Sequence, residues 1–440
     1  MKYSTKSNLI ALAVAMGLSL PVAANTTHKL IDADTPRLQE IYKDIHANPE
    51  LGFMEHRTAG IVANELKELG FEVTTGIGIT GVAAVLENGP GPVVMYRADM
   101  DANAVKEETG LPYASNVKVT NLDGNETYVS HMCGHDAHTT WLLGMAKTMT
   151  ETRSEWSGTL VLIAQPAEEP IEGAHAMVKD GLYDVHGIPK PDHFLAMHTV
   201  PFPTGTMLIQ PGRIMTGSEH IDITFRGIGG HGSAPQFTND PVLMAGQAIT
   251  QLQTVVSRYT DPQETAILTI GAVNAGVDNN VITEEATLKL KLHFSTPEVH
   301  EDMVKAIKRI SNAIALANGV EEDNMPLFKH KGYATAVVND PELTNRIADV
   351  MKEKDYITKV IPGFTSAGSE DAATLVEGIP GVKVSYVYMG TAEHDLFEEA
   401  RLRGEFVPFA PHNPDYRVDI ESINLGAKAA TDIVMDIMGN

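Results

Sequence analysis

The chain is 440 residues long, carries a formal net charge of −24 and contains one cysteine. So acidic a surface repels nucleic acid and anionic lipid, which excludes both as expected partners, and a single thiol excludes an internal disulfide. Stability must come from apolar cores, and the length predicts about two to three domains.

Residues 1–24 read as a secretory leader. Lys2 and Lys6 supply the basic start, 9–20 is a short apolar run, and Val22-Ala23-Ala24 offers small residues for cleavage. The run is too short to span a bilayer comfortably. The expected mature chain starts near Asn25 and is exported, periplasmic or secreted, with no membrane span; losing two lysines takes its charge from −24 to −26.

From residue 34 onward helix and strand alternate. Asp34 or Thr35 with Pro36 predicts a helix start, and 58–69 predicts an amphipathic helix stopped by Gly70. Strands are predicted over 81–86 and 93–97, the second running into Asp99 and Asp101. Carboxylates just past the end of an apolar strand lie where open α/β sheets place their sites, although an acidic turn accounts for this pair equally well.

Residues 131–138 form the densest run of potential metal ligands, with His131, Cys133, His135 and His138. Thiolate and imidazole both suit borderline-soft divalent ions, and a turn at Gly134 could aim Cys133 and His135 at one ion. A lone cysteine is more commonly a small buried hydrophobe, so the reading needs ligands from elsewhere. A helix predicted over 138–150 puts the run at a helix N-terminus, which favours thiolate. Metal ligation would also protect a solitary exported thiol from oxidation.

Those ligands follow. The apolar strand predicted over 159–165 ends in Glu168 and Glu169, whose side chains diverge, so that one could bind metal while the other faces the attacking water. A strand over 194–198 is predicted to deliver His198 at its end. Cys/His, Glu/Glu and His at successive strand ends are hard to explain as solvated surface.

The texture changes near Pro203. Residues 206–331 read strand, helix, strand, strand, helix, strand, a ferredoxin-like order, and are expected to be an inserted domain between catalytic parts 25–205 and 332–440. Its first helix starts at Asp240-Pro241 with Val242, Ala245, Ile249, Leu252, Val256 and Tyr259 on one face. The second starts at Thr296-Pro297 with Met303, Ile307, Ile310, Ile314 and Ala317 on one face and Gly319 as its stop. Residues 288–294 alternate apolar and polar, placing Lys289, Lys291 and His293 on one side. A glycine-rich turn exposes His231. After Asp340 come a helix over 341–354, a turn over 368–371, a strand over 382–389, a proline-rich loop holding His412, and a closing helix over 420–438. Walker, dinucleotide, His-Glu-x-x-His and Gly-x-Ser-x-Gly motifs are absent from the sequence.

In colinear order, Arg97-Ala98-Asp99-Met100-Asp101, the 131–138 run, Gln165 to Glu169, Met197-His198, His231-Gly232-Ser233-Ala234-Pro235, the 368–371 turn and Pro411-His412 resemble the amidohydrolase branch of the aminoacylase and glutamate-carboxypeptidase metallopeptidase family. That branch holds hippurate hydrolases and plant auxin-conjugate hydrolases. The resemblance implies a zinc-exopeptidase-like α/β catalytic domain carrying an inserted ferredoxin-like α+β lid and dimerisation domain. It implies two divalent ions (zinc, manganese, cobalt or nickel) on Cys133, His135, Glu169, His198 and His412, with Glu168 as general base. Asp101 would orient a ligand, and Asn280, His293 and Gly368 would contact a small amide substrate. His231 would reach the neighbouring site in a homodimer. Two departures stand out: Asn103-Ala104 replaces the family's Leu-Pro, and His293 replaces a lid-strand arginine that grips a substrate carboxylate. A metallo-exopeptidase and a non-catalytic metal-binding protein are the rival readings.

Overall fold

The structure is a computed structural model that describes residues 22–440. The leader expected over 1–24 therefore lies outside the described residues apart from its last three, which open helix α1 (Val22–Ala47). That helix corrects the start expected at Asp34: it runs through Pro36 because its packing begins earlier. Ile31, before the proline, is as buried as Leu38, Tyr42 and Ile45 after it, and Asp32 is held from α9 (Ser422–Met438) by Lys428 and Asn424. Tertiary contact outweighs the backbone hydrogen bond a mid-helix proline removes.

Helix α2 (His56–Glu68) leads into strands β1 (Glu72–Ile77), β2 (Gly81–Asn88) and β3 (Val93–Asp99). Helix α3 (His135–Glu151), β4 (Gly158–Gln165), α4 (Gly173–Lys179), β5 (His193–Pro203) and β6 (Thr206–Leu208) follow. The inserted part contributes β7 (Gly217–Arg226), α5 (Pro241–Tyr259), β8 (Ala266–Ala275), β9 (Glu285–Phe294), α6 (Pro297–Ala317) and β10 (Leu327–Ala334). The chain closes with α7 (Pro341–Lys352), β11 (Lys359–Ile361), β12 (Lys383–Ala392), α8 (His394–Leu402) and α9.

Eight strands form one sheet in the order β1-β2-β4-β3-β5-β12-β6-β11. Its centre is parallel: β3 pairs with β4 and β5, and β5 pairs with β12. Residues of these strands alternate between two cores, as the period of two requires. Tyr96, Leu162 and Leu195 meet α1, α3 and α9 on one face, while Met95, Ile163 and Phe194 meet α4 and its neighbours on the other. Buried on both sides, the strands read as the continuous apolar runs of a parallel sheet.

The second sheet is antiparallel, ordered β8-β9-β7-β10, the ferredoxin-like order expected from the sequence. Helices α5 and α6 cover one face through Met244, Leu252, Ile307 and Ile314. Val242, Tyr259 and Ala317, assigned to those apolar faces, are instead exposed. The boundary also shifts. The strand at 206–208 belongs to the large sheet, turning back at Gly205 (φ +84°) to pair antiparallel with β12, so the small sheet spans 217–334. Among the described residues no helix is long and apolar enough to cross a membrane.

Candidate metal centre

The site lies past the carboxyl ends of β3, β4 and β5. Pairing of β3 with β5 stops at Arg97–Ala196, but β5 continues beside β12 to Pro203. His198 is therefore mid-strand, not at a strand end, and it reaches the site because β3 is the shorter neighbour. Arg97 fastens the strand ends. Its guanidinium, fully buried, donates to Gln165 Oε1 at 2.8 Å, Asp99 Oδ2 at 2.7 Å and Glu370 Oε1 at 2.8 Å.

Helix α3 begins at His135, three residues earlier than expected, because Gly134 takes a left-handed φ of +84°. A Cβ there would sit 2.6 Å from Thr199 Oγ1, the hydroxyl that donates to the Cys133 carbonyl at 2.7 Å. Three non-glycine residues beside the site also have positive φ, Ala167 at 46°, Ile171 at 54° and His412 at 67°. Backbone strain of this kind persists only where surroundings hold it. Glu55 Oε1 accepts from Ala167 N at 2.8 Å, and His412 N donates to the Met132 carbonyl at 2.7 Å.

Donor atoms of Cys133, Glu169 and His412 lie within 4.8 Å of one another, as do those of His135, Glu168 and Glu169. His412 Nε2 is 3.3 Å from Glu169 Oε2, and Cys133 Sγ is 3.6 Å from His198 Nε2. His135 Nε2 is 3.8 Å from both Glu168 and Glu169 oxygens. Asp101 bridges the second layer: Oδ1 lies 3.2 Å from His135 Nδ1, and Oδ2 accepts from Glu169 N at 2.9 Å. This turns His135 Nε2 inward, the arrangement by which carboxylates orient metal-binding imidazoles.

The residues fit divalent ions on this structure's own terms. His135 Nε2 and Glu169 Oε1 are buried with no hydrogen-bond partner, a cost proteins rarely leave unmet. One thiol, three imidazoles and two carboxylates form a donor set suited to borderline divalent metals. The charges agree. Hydrogen bonds to Cys133 and Glu169 raise the His412 imidazole to about 10 against the cost of burial. Burial pushes the Cys133 thiol up, but His198 and His135 outweigh it and bring it to about 6. Burial, then Glu370 and Glu169, holds Glu168 well above the usual carboxylate range.

Two histidines of the 131–138 run take other roles. His138 Nδ1 donates to Asp99 at 2.6 Å and its Nε2 accepts from Thr199 N at 2.8 Å, so neither nitrogen is free for a metal. His131 is buried behind the site, and burial lowers it to about 4. Further back, His46 donates from Nδ1 to Asp136 at 2.6 Å and from Nε2 to Glu107 at 3.1 Å. This buried triad clamps the first turn of α3.

A cavity of about 320 Å³ opens over the cluster, lined among others by Glu168, Glu169, Gly368 and His412. Three expected site residues are not there. His231 and Asn280 line a separate, more open cavity of about 700 Å³ on the inserted domain, where Gly232 N donates to the Asn280 carbonyl. His293 is turned toward Thr216 Oγ1, at 3.3 Å, and that hydroxyl donates to the carbonyls of Ala367 and Gly368. The lining instead includes Lys291, Tyr386 and Tyr388, which the sequence did not single out, and Glu370, which lies within the 368–371 turn. For Lys291 a signal existed, since it shares the polar face of β9 with His293.

Peptidase family M20/M25/M40 matches residues 95–436 of the chain. The hippurate hydrolase of Campylobacter jejuni is 39% identical over 317 residues, covering 72% of this chain and 78% of its own. Thermostable carboxypeptidase 1 of Saccharolobus solfataricus is 31% identical over 395 residues, 89% of this chain and 92% of its own. The crystal structure of the Bacillus subtilis YXEP protein, a dinuclear metal-binding peptidase of the M20 family, is similar with a TM-score of 0.69 at 27% identity, covering 92% of this chain and 99% of that one.

Proposed function

This chain belongs to peptidase family M20/M25/M40, in its amidohydrolase branch, and is a metal-dependent hydrolase of amide or peptide bonds; from that premise we propose that it cleaves N-acyl or N-aroyl amino acids. In this reading Cys133, His135, Glu169, His198 and His412 hold two divalent ions of the zinc, manganese, cobalt or nickel kind. Such a pair polarises a carbonyl and lowers the pKa of water toward neutrality. Asp101 fixes His135, and Glu168 accepts the proton of the attacking water and returns it to the leaving nitrogen. A carboxyl whose pKa is raised by burial and by Glu370 holds that proton between the two transfers.

The observation that carries the reading is Glu168 beside Glu169 at one buried cavity. A protein that only stored metal would have no use for a second carboxylate with a raised pKa facing the open space. The Saccharolobus carboxypeptidase keeps an exopeptidase reading in second place. We further infer an exported enzyme that dimerises through the inserted domain, with His231 serving the partner's site. The edge strand β8 leaves Ile267 and Val273 exposed, and Val242 and Leu243 at the start of α5 are exposed as well; an unpaired edge with exposed apolar side chains is the kind that seeks a partner.

Metal-loaded protein assayed on hippurate, N-acetyl amino acids and dipeptides tests this. Acyl amino acids are expected to be the better substrates, and Glu168→Gln is expected to lower their turnover by at least about 100-fold while metal content stays unchanged. Preference for dipeptides would transfer the assignment to the exopeptidase, and loss of metal from Glu168→Gln would reverse the roles of the two glutamates.

A further inference from the structure

The lining of the metal cavity includes three glutamates, the Cys133 thiol, two histidines and two tyrosines, and a single lysine ammonium. Lys291 comes from β9 of the inserted domain and lines the same cavity of about 320 Å³ as Cys133, Glu168 and His412. It is half-buried and, among the described residues, makes no ion pair. Its neighbours behave differently. Lys331, on a nearby strand of the same sheet, is paired with Asp222 at 2.7 Å, and Lys289 of β9 is exposed to solvent. Lysines are rarely withdrawn from water without a partner, and this chain, at −24, has carboxylates to spare.

We propose that Lys291 recognises the free carboxylate on the leaving half of the substrate, so that the enzyme selects anionic acyl amino acids over neutral amides. The inference rests on the function proposed above and narrows its substrate class. The register of β9 supports it. Lys291 and His293 point to the same side of the strand, but His293 is drawn to Thr216 and the 367–368 carbonyls, leaving Lys291 as the cation that faces the chemistry. Burial lowers its ammonium to about 8 while Glu168 pulls the other way. A half-buried ammonium without an ion-pair partner among the described residues is already partly desolvated, which makes an incoming carboxylate the natural counter-ion.

The test is the ratio of kcat/KM for an N-acyl amino acid to that for its carboxamide, measured on metal-loaded wild type, Lys291→Met and Lys291→Arg. Wild type is expected to favour the acid. Lys291→Met is expected to reduce that ratio by about 10- to 100-fold, through KM for the acid, and Lys291→Arg to restore most of it. An unchanged ratio, or equal falls in kcat for acid and amide, would overturn the proposal and make Lys291 a modulator of Glu168. If wild type hydrolyses no acyl amino acid, the proposed function itself fails and takes this role with it.

Discussion

Cys133 shows how much one residue can reveal. The only thiol in the chain sits two residues from His135 across a left-handed glycine and 3.6 Å from His198. Serine has nearly the same size but does not ionise, so if Cys133 is a ligand as proposed, Cys133→Ser removes it while leaving the packing. Metal content should fall and activity drop by at least about 100-fold, more than the loss typical for an orienting partner. Full activity at normal metal stoichiometry, read by elemental analysis beside turnover, would reduce the cysteine to a packed side chain. Ligand-rich spacing made Cys133, His135, Glu168 and Glu169 legible from the sequence. It could not separate His135 from His138, because that depends on Thr199 N occupying one imidazole nitrogen and Asp99 the other. Nor could it rank Lys291 above His293: strand parity gives the face, while depth along the strand is set by a neighbouring loop.

Helix α3 carries His135 at its first turn, and what holds that turn is the triad of His46, Asp136 and Glu107. Burial disfavours the imidazolium, but hydrogen bonds to the two carboxylates outweigh it and raise His46 from 6.5 to about 9. A raised folded-state value means that the stabilisation is complete below the unfolded value of 6.5 and is lost as pH climbs through about 9. Glu107 and Asp136 are lowered from 4.5 and 3.8, so their share disappears in acid. His46→Gln, which strands two buried carboxylates, should cost about 3 kcal/mol. The deficit should be largest between the carboxylate range and pH 6.5 and shrink toward pH 9. Denaturant midpoints of both proteins at the two ends of that window check it; a constant difference would mean the triad acts by shape alone. At this scale the sequence spoke clearly wherever apolar period and caps agreed, as at Asp240-Pro241 and Thr296-Pro297, whose side chains accept from the first turns of α5 and α6. It misled at Pro36, where packing against α3 and α9 overrides a local start signal, and at His198, where the unequal length of paired strands decides what counts as an end.

Across the whole molecule, the two-sheet plan was readable because the change from continuous apolar runs to alternation is a change of sheet type, and only the short strand at 206–208 blurred the border. His231 lines a different cavity from the metal donors, so in the proposed dimer it would have to serve the partner's site. Mixing inactive His231→Ala with inactive Glu168→Gln chains should then restore part of the activity once subunits exchange, because one site in each hybrid regains both groups. No recovery in verified heterodimers would confine His231 to its own chain. His412 N is already hydrogen-bonded to the Met132 carbonyl, beside Cys133. With His412 as a ligand as well, bound ions would fasten the proline-rich loop to the 131–138 segment, far apart in the chain, and would stiffen that loop through the stabilisation a ligand gives the folded state.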